Sequence, residues 1–187
     1  STNRNWNNAF TRPAGGDWEI VSKVFYDTNV PLATYQQIMM MVWQDEDNYV
    51  KLNCQPGGWG GGINTQISVE SGGSSGASSS VGMQPDEDGT ITLYYKITKN
   101  GNNYTGAFSK DGINYTTVGT VTAALSNPQI GLFATKNSNN PVIDTYCEYL
   151  TVTQLNGEEV ISYEDMLKNA FDNASNVIFE DFPTAWL

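Results

Sequence analysis

Residues 35–54 read YQQIMMMVWQDEDNYVKLNC, and the fold turns on how this stretch is read. Ile38 to Trp43 is an unbroken apolar run, Asp45, Glu46, Asp47 and Asn48 are turn formers, and Tyr49 to Cys54 alternates in polarity, which predicts a β-hairpin. Side chains along a strand point to opposite faces in turn, so Val50, Leu52 and Cys54 go one way and Tyr49, Lys51 and Asn53 the other. The first set is core. The opposite face of the first arm carries Met39, Met41 and Trp43, so the hairpin presents Trp43, Tyr49 and Lys51 together on a surface both aromatic and polar. Such a surface suits a flat polar ligand such as a sugar.

Outward from the hairpin, further strands are marked by alternation and by turn residues. Trp18 to Tyr26 alternates along its whole length, and its expected sheet neighbour is the hairpin or the last strand. Ile63 to Ser71 is another strand. Thr90 to Lys99, the Asn100-Gly101 turn, Tyr104 to Ser109, the Asp111-Gly112 turn and Tyr115 to Val121 form a three-stranded meander. Gln129 to Lys136, Asp144 to Thr153 and a short strand near Ala9 to Arg12 complete the set. The spacing is that of an antiparallel two-sheet sandwich, so the fold class is all-β. Ser71 to Ser80, SGGSSGASSS, has no apolar face and is expected to be a long flexible surface loop.

Other segments leave alternatives open. Trp6 is a loop anchor or a ligand contact. Trp59, in Pro56-Gly-Gly-Trp-Gly-Gly-Gly62, is a lid over a sugar or folds back on the sandwich edge. Ser162 to Phe171 has a weak capping arrangement and helical spacing, which predicts the one short helix. Val177 to Phe182, followed by Trp186, reads as a strand. The chain thus divides into a sandwich over 1–156 and a segment, 157–187, that packs on the sandwich or opens a following module.

Composition narrows the function. With 9 Lys+Arg against 20 Asp+Glu the net charge is −11, which repels nucleic acid and anionic membranes. The sequence contains no apolar run long enough to span a bilayer and no basic-then-apolar start, so it is expected to be a mature fragment without membrane insertion. The absence of histidine removes the usual general base and zinc ligand and argues against a triad hydrolase. Cys54 and Cys147 are a disulfide or two buried thiols. The acidic clusters Asp45-Glu46-Asp47 and Asp86-Glu87-Asp88 sit at turns, where carboxylates serve the backbone, and no strand carries the paired acids a glycosidase needs. No cofactor is required; the same turns leave room for one structural calcium. Ser109 to Tyr115, SKDGINY, resembles the Asp-box hairpin of sialidases, in which an Asp braces a turn, and is read as turn chemistry. Three Asn-X-Ser/Thr triplets, at Asn103, Asn114 and Asn173, arise readily by chance in so Asn-rich a chain.

Five pieces together resemble a known family: Trp18-Glu-Ile-Val-Ser-Lys-Val24, Tyr35-Gln-Gln37, Val42-Trp-Gln-Asp-Glu-Asp-Asn-Tyr-Val-Lys-Leu52, Ser109-Lys-Asp-Gly112 and Ile130-Gly-Leu-Phe-Ala134. They are similar to the concanavalin A-like (laminin-G-like) domains appended to bacterial β-xylosidases and other secreted glycosidases. The resemblance covers about residues 5 to 153, and departs at Met39 to Met41 and at Cys147. It implies a jelly-roll sandwich whose concave face meets carbohydrate or a catalytic partner domain, with Trp43, Tyr49, Lys51, Tyr94 and Lys96 on strands facing it. The expected function is a non-catalytic carbohydrate-binding or accessory module of a secreted bacterial glycoside hydrolase. It would be extracellular, monomeric, and partnered by oligo- or polysaccharide and by neighbouring domains. The alternative is a structural or adhesion module of a large cell-surface protein. On either reading of the residues, Trp43 and Tyr94 bind a sugar, or they cover a sheet face with the lysines lying over it.

Overall fold

The computed structural model describes residues 9–13, 15–26, 36–56, 62–135 and 145–155. These form eleven strands: β1 Ala9–Pro13, β2 Trp18–Tyr26, β3 Gln37–Asp45, β4 Asn48–Pro56, β5 Ile63–Ser71, β6 Ser74–Met83, β7 Ile91–Asn100, β8 Asn103–Ser109, β9 Thr116–Thr122, β10 Gln129–Thr135 and β11 Thr145–Gln154. No helix occurs among the described residues. The strands make two antiparallel sheets, one ordered β1-β10-β3-β4-β5-β6 and the other β11-β2-β7-β8-β9, so the expected all-β sandwich is the fold. Trp6, the helix expected at 162–171, the strand expected at 177–182 and Trp59 lie outside the described residues.

The hairpin reading sets the register. Trp43 lies opposite Tyr49, Met41 opposite Lys51 and Ile38 opposite Cys54. The Asp45 carboxylate accepts from the Asp47 amide (2.9 Å) and the Asn48 side chain (2.8 Å), which tightens the turn. Ile38, Met40, Val42, Val50, Leu52 and Cys54 face inward and join Trp18, Ile20, Val24, Ile67, Leu93, Ile97 and Val152 in one core. Burial of that apolar area drives the sheets together. β2 lies between β11 and β7, one of the neighbours expected for it.

The serine-rich segment is a strand, not a loop. β6 runs from Ser74 to Met83 and pairs with β5 along its length. Its entry is a two-residue turn with positive φ at both Gly72 (57°) and Gly73 (73°), the geometry that matches sheet twist and that glycine adopts without strain. The Gly73 amide donates to the Asp47 carbonyl (3.0 Å) and the Gly72 amide to Asn48 Oδ1 (3.0 Å), so this turn rests on the β3–β4 turn. An edge strand needs one ladder more than it needs an apolar face, which is why alternation did not reveal it.

Cys54 and Cys147 are free thiols, one on each sheet. Burial pushes the Cys54 thiol up to about 12, which leaves it an inert core group.

The 109–115 turn behaves as the Asp-box likeness implied. Asp111 Oδ1 accepts from the Ile113 amide (2.8 Å), the Asn114 amide (2.7 Å) and the Ser109 hydroxyl (2.8 Å), and Oδ2 accepts from the Asn114 side chain (2.7 Å). Bonds to the Asn114 amide and side chain, then to Ile113 and Ser109, hold its carboxyl well below the usual carboxylate range. A depressed folded value stabilises the fold above the unfolded pKa of about 3.9 and loses that contribution as pH falls through the folded value. Asp111→Ala should therefore lower the urea midpoint at pH 7, with the gap to wild type closing as pH drops below about 4. An equal gap at pH 7 and at pH 2.5, measured by fluorescence-monitored urea titration, would mean that the carboxylate does not brace the turn.

Candidate saccharide site

The outward positions of the six-stranded sheet fall into rows. One row is Gln129, Trp43, Tyr49 and Glu70; the next is Gly131, Met41, Lys51 and Ser68; the third is Phe133, Met39, Asn53 and Gln66. Trp43, Tyr49 and Lys51 are thus brought together on one face, as their spacing implied. Tyr49 donates to Glu70 Oε2 (2.5 Å), which fixes the ring beside Trp43. Gln37 Nε2 donates to Gln55 Oε1 (2.5 Å) and Gln55 Nε2 to Gln66 Oε1 (3.4 Å), a chain of amides across three strands.

The middle of this face is closed to solvent. Met41 is 0% exposed, Met39 2%, Tyr49 3% and Phe133 3%, and they pack as a second apolar cluster with Trp43 against it. Lys51, Gln55, Gln66, Ser68 and Glu70 are half-buried around them. Asn53 is fully buried, yet among the described residues neither its Oδ1 nor its Nδ2 has a hydrogen-bond partner; the indole Nε1 of Trp43 is in the same state. Unpaired buried polar atoms are rare because each costs on the order of 1–3 kcal/mol. Asn53 was placed on this face by the alternation but not singled out. Gln66, Ser68 and Glu70 alternate with Thr65, Ile67 and Val69 in β5, a signal that names their face but not their neighbours.

Tyr94 and Lys96 are elsewhere. They alternate outward, as expected, but from β7, so they lie on the outer face of the five-stranded sheet and the core separates them from Trp43 and Lys51. This corrects the expectation that all these residues share one concavity: the alternation gives inward or outward, and outward means opposite directions in two facing sheets. Lys96 lies 4.1 Å from the centre of the Tyr115 ring and 3.6 Å from Glu19 Oε2. The Tyr94 ring lies under Gly112, where an added Cβ would come within 2.9 Å of it. Both side chains support the 109–115 turn.

The carboxylates that drew attention at turns serve those turns. Asp88 Oδ1 accepts from the Thr90 amide (3.0 Å) and hydroxyl (2.6 Å), while Asp86 accepts from the Thr92 amide (3.0 Å) and Lys110 (2.6 Å). Among the described residues no three His, Cys, Asp or Glu side chains gather as a metal would need.

No family model and no curated protein matches the chain. Solved structures do share its fold. One is a functionally unknown protein from Saccharomyces cerevisiae, with TM-score 0.62 and 13% identity over 77% of this chain and 72% of that one. Another is a xylan β-1,4-xylosidase from Bacillus halodurans, with TM-score 0.60 and 15% identity over 75% of this chain and 28% of the enzyme. A third is the carbohydrate-binding module CBM66 from Bacillus subtilis, with TM-score 0.52 and 11% identity over 79% of this chain and 78% of that one. The likeness is one of fold, and the chain spans 28% of the xylosidase's length.

Proposed function

We propose that the chain is a non-catalytic carbohydrate-binding module of a secreted glycoside hydrolase, with its saccharide site on the outer face of the six-stranded sheet. The observation that carries this reading is Asn53, a buried carboxamide with both polar atoms unpaired among the described residues, opposite Gln66 and one row from Lys51 on the face whose far row carries Trp43. An amide in that state gains two hydrogen bonds when a group offering both donor and acceptor reaches it, as a sugar hydroxyl does, and because Asn53 is 0% exposed that contact requires the side chains over it to move aside. Trp43 supplies the aromatic surface for the C–H face of the ring, and Lys51 and Glu70 supply charged partners for flanking hydroxyls. The fold shared with a carbohydrate-binding module and with part of a xylosidase supports it. At the ladder positions of this face the described residues supply one carboxylate, Glu70, whereas glycoside hydrolysis by acid and base needs two.

Calorimetry of the wild-type chain against xylan, arabinan, galactan and mucin-type glycans should give saturable binding to one of them. Trp43→Ala and Lys51→Ala should weaken it about tenfold or more. Asn53→Leu should abolish it while keeping or raising the melting temperature, because the substitution removes an unpaired buried amide. Unchanged affinity in all three variants would sink the site.

A second reading, a structural module packing against neighbouring domains, draws on the closed apolar patch of Met39, Met41 and Phe133. Wild type that binds no glycan at all would favour it, and release of an aryl glycoside's phenol by the purified chain would overturn the non-catalytic assignment.

A further inference from the structure

On the other side of the molecule, β2 and β11 border a surface pocket of about 210 Å³ lined by Lys23, Phe25, Asp88, Thr90, Thr92, Tyr146 and Glu148, with Val24 at its base. The Phe25 and Tyr146 rings stack at 4.7 Å with 22° between their planes and make an aromatic wall, and Tyr146 is 41% exposed. Lys23 Nζ donates to Glu148 Oε1 at 2.7 Å across the rim. Asp88 Oδ1 is taken by Thr90. That leaves Asp88 Oδ2, Glu148 Oε2 and the Tyr146 hydroxyl without a hydrogen-bond partner among the described residues, while the Lys23 ammonium also lies 5.7 Å from the centre of the Tyr94 ring.

We infer that this pocket is a second binding site, for a single neutral sugar residue, independent of the face that carries Asn53. The volume is below the ~300 Å³ at which pockets for drug-sized ligands begin and has room for one ring. An aromatic wall accepts the apolar face of a pyranose. Around it, in the same lining, two carboxylate oxygens and an ammonium offer acceptors and donors to adjacent hydroxyls. Lys23 is already neutralised by Glu148, so the pocket holds no free positive charge for a phosphate, and the chain's net charge of −11 opposes one further. Two sites on opposite faces would let one module bridge two glycan strands, raising avidity without any new contact.

The test is a ¹⁵N-resolved NMR titration of the full chain with D-xylose, L-arabinose, D-galactose and D-glucosamine, in wild type and in Tyr146→Ala, Tyr146→Phe, Asp88→Asn and Lys51→Ala. One neutral sugar should saturate and shift the amides of residues 23–25, 88–92 and 146–148. Tyr146→Ala and Asp88→Asn should weaken that binding at least tenfold, Tyr146→Phe should keep it within about threefold because the stacked wall remains, and Lys51→Ala should leave it unchanged. The Tyr146→Phe result separates lost binding from lost folding, and the Lys51→Ala result separates this site from the one under Proposed function. Neutral sugars that leave these amides unshifted, saturation by glucosamine alone, or a Tyr146→Ala protein that binds like wild type would each overturn the assignment.

Discussion

Gly119→Val should be among the most destabilising single changes in the chain, lowering stability by about 3 kcal/mol, at the upper end of what overpacking costs. The two sheets come closest where their edge strands β6 and β9 meet. There the Ser79 hydroxyl donates across the gap to the Val118 carbonyl at 2.6 Å. A Cβ at position 119 would lie 2.5 Å from Ser79 Cβ and 2.7 Å from Ser79 Oγ, closer than such atoms approach. Ser79 Cβ cannot swing aside like the end of a long side chain, so β6 itself must move, breaking the cross-sheet bond. At 2–4 °C per kcal/mol for a chain of this size, the melting temperature should drop by roughly 6–12 °C. Gly119→Val combined with Ser79→Gly should recover part of that loss, since the atoms struck are gone. A single variant that melts within 2 °C of wild type would show that the sheet edges are not held as described.

Tyr95→Phe is the second large effect, about 1–3 kcal/mol, and it comes from polar atoms in an apolar place. The fully buried Tyr26 and Tyr95, both from the five-stranded sheet, reach across the core with their hydroxyls 3.1 Å apart. The Cys54 amide donates to the Tyr95 oxygen (2.6 Å) and the Ile38 amide to the Tyr26 oxygen (3.0 Å), while the single Tyr26 proton has the Ile38 and Cys54 carbonyls as alternative acceptors at 2.9 and 3.0 Å and the Tyr95 hydroxyl reaches the Ile38 carbonyl at 3.3 Å. Two hydroxyls thus serve the backbone of the β3–β4 pair at its last inward position. Tyr95→Phe leaves the Cys54 amide buried without a partner, and Tyr26→Phe does the same to Ile38. Because the hydroxyls share one network, the double variant should cost less than the sum of the singles.

Alkali tests the same pair. Burial pushes both phenols well above their usual value, and the neighbouring Tyr26 raises Tyr95 further. A raised folded value means the contribution is fully present below the unfolded pKa of about 10 and is lost as pH rises toward the folded one. The wild-type chain should lose far-UV β signal cooperatively above about pH 10, together with the last tyrosine ionisation read at 295 nm. Full tyrosine ionisation in a chain that keeps its β signal would contradict the buried pair.

Where alternation was strong, the fold was legible residue by residue. β2 and β5 have the expected ends, the tight turn expected at Asn100-Gly101 joins β7 to β8 one residue further on, at Gly101-Asn102, and Ile38 to Cys54 folds on itself in the register its polarity dictates. The serine-rich β6 escaped because hydrophobic period measures burial: Ser74 to Ser78 are exposed, and the inward face that starts at Ser79 reaches apolar residues only at Val81 and Met83. The Gly-Gly pair at 72–73 was the one local sign of a hairpin there.

The sequence by itself determined which face of each strand a side chain occupies, because that follows from backbone geometry within one strand. Hence Trp43, Tyr49 and Lys51 could be grouped from the hairpin alone. Only the tertiary structure decided which outward faces are the same one. Sheet membership depends on pairings between residues far apart in the chain, and these put β4 beside β5 but β7 beside β2 and β8. Tyr94 and Lys96 therefore went to the far side, Gln66 and Glu70 came to Trp43 and Lys51, and Asn53 was left with a buried amide. Whether a polar atom finds a partner depends on every strand around it, and no local pattern carries that information.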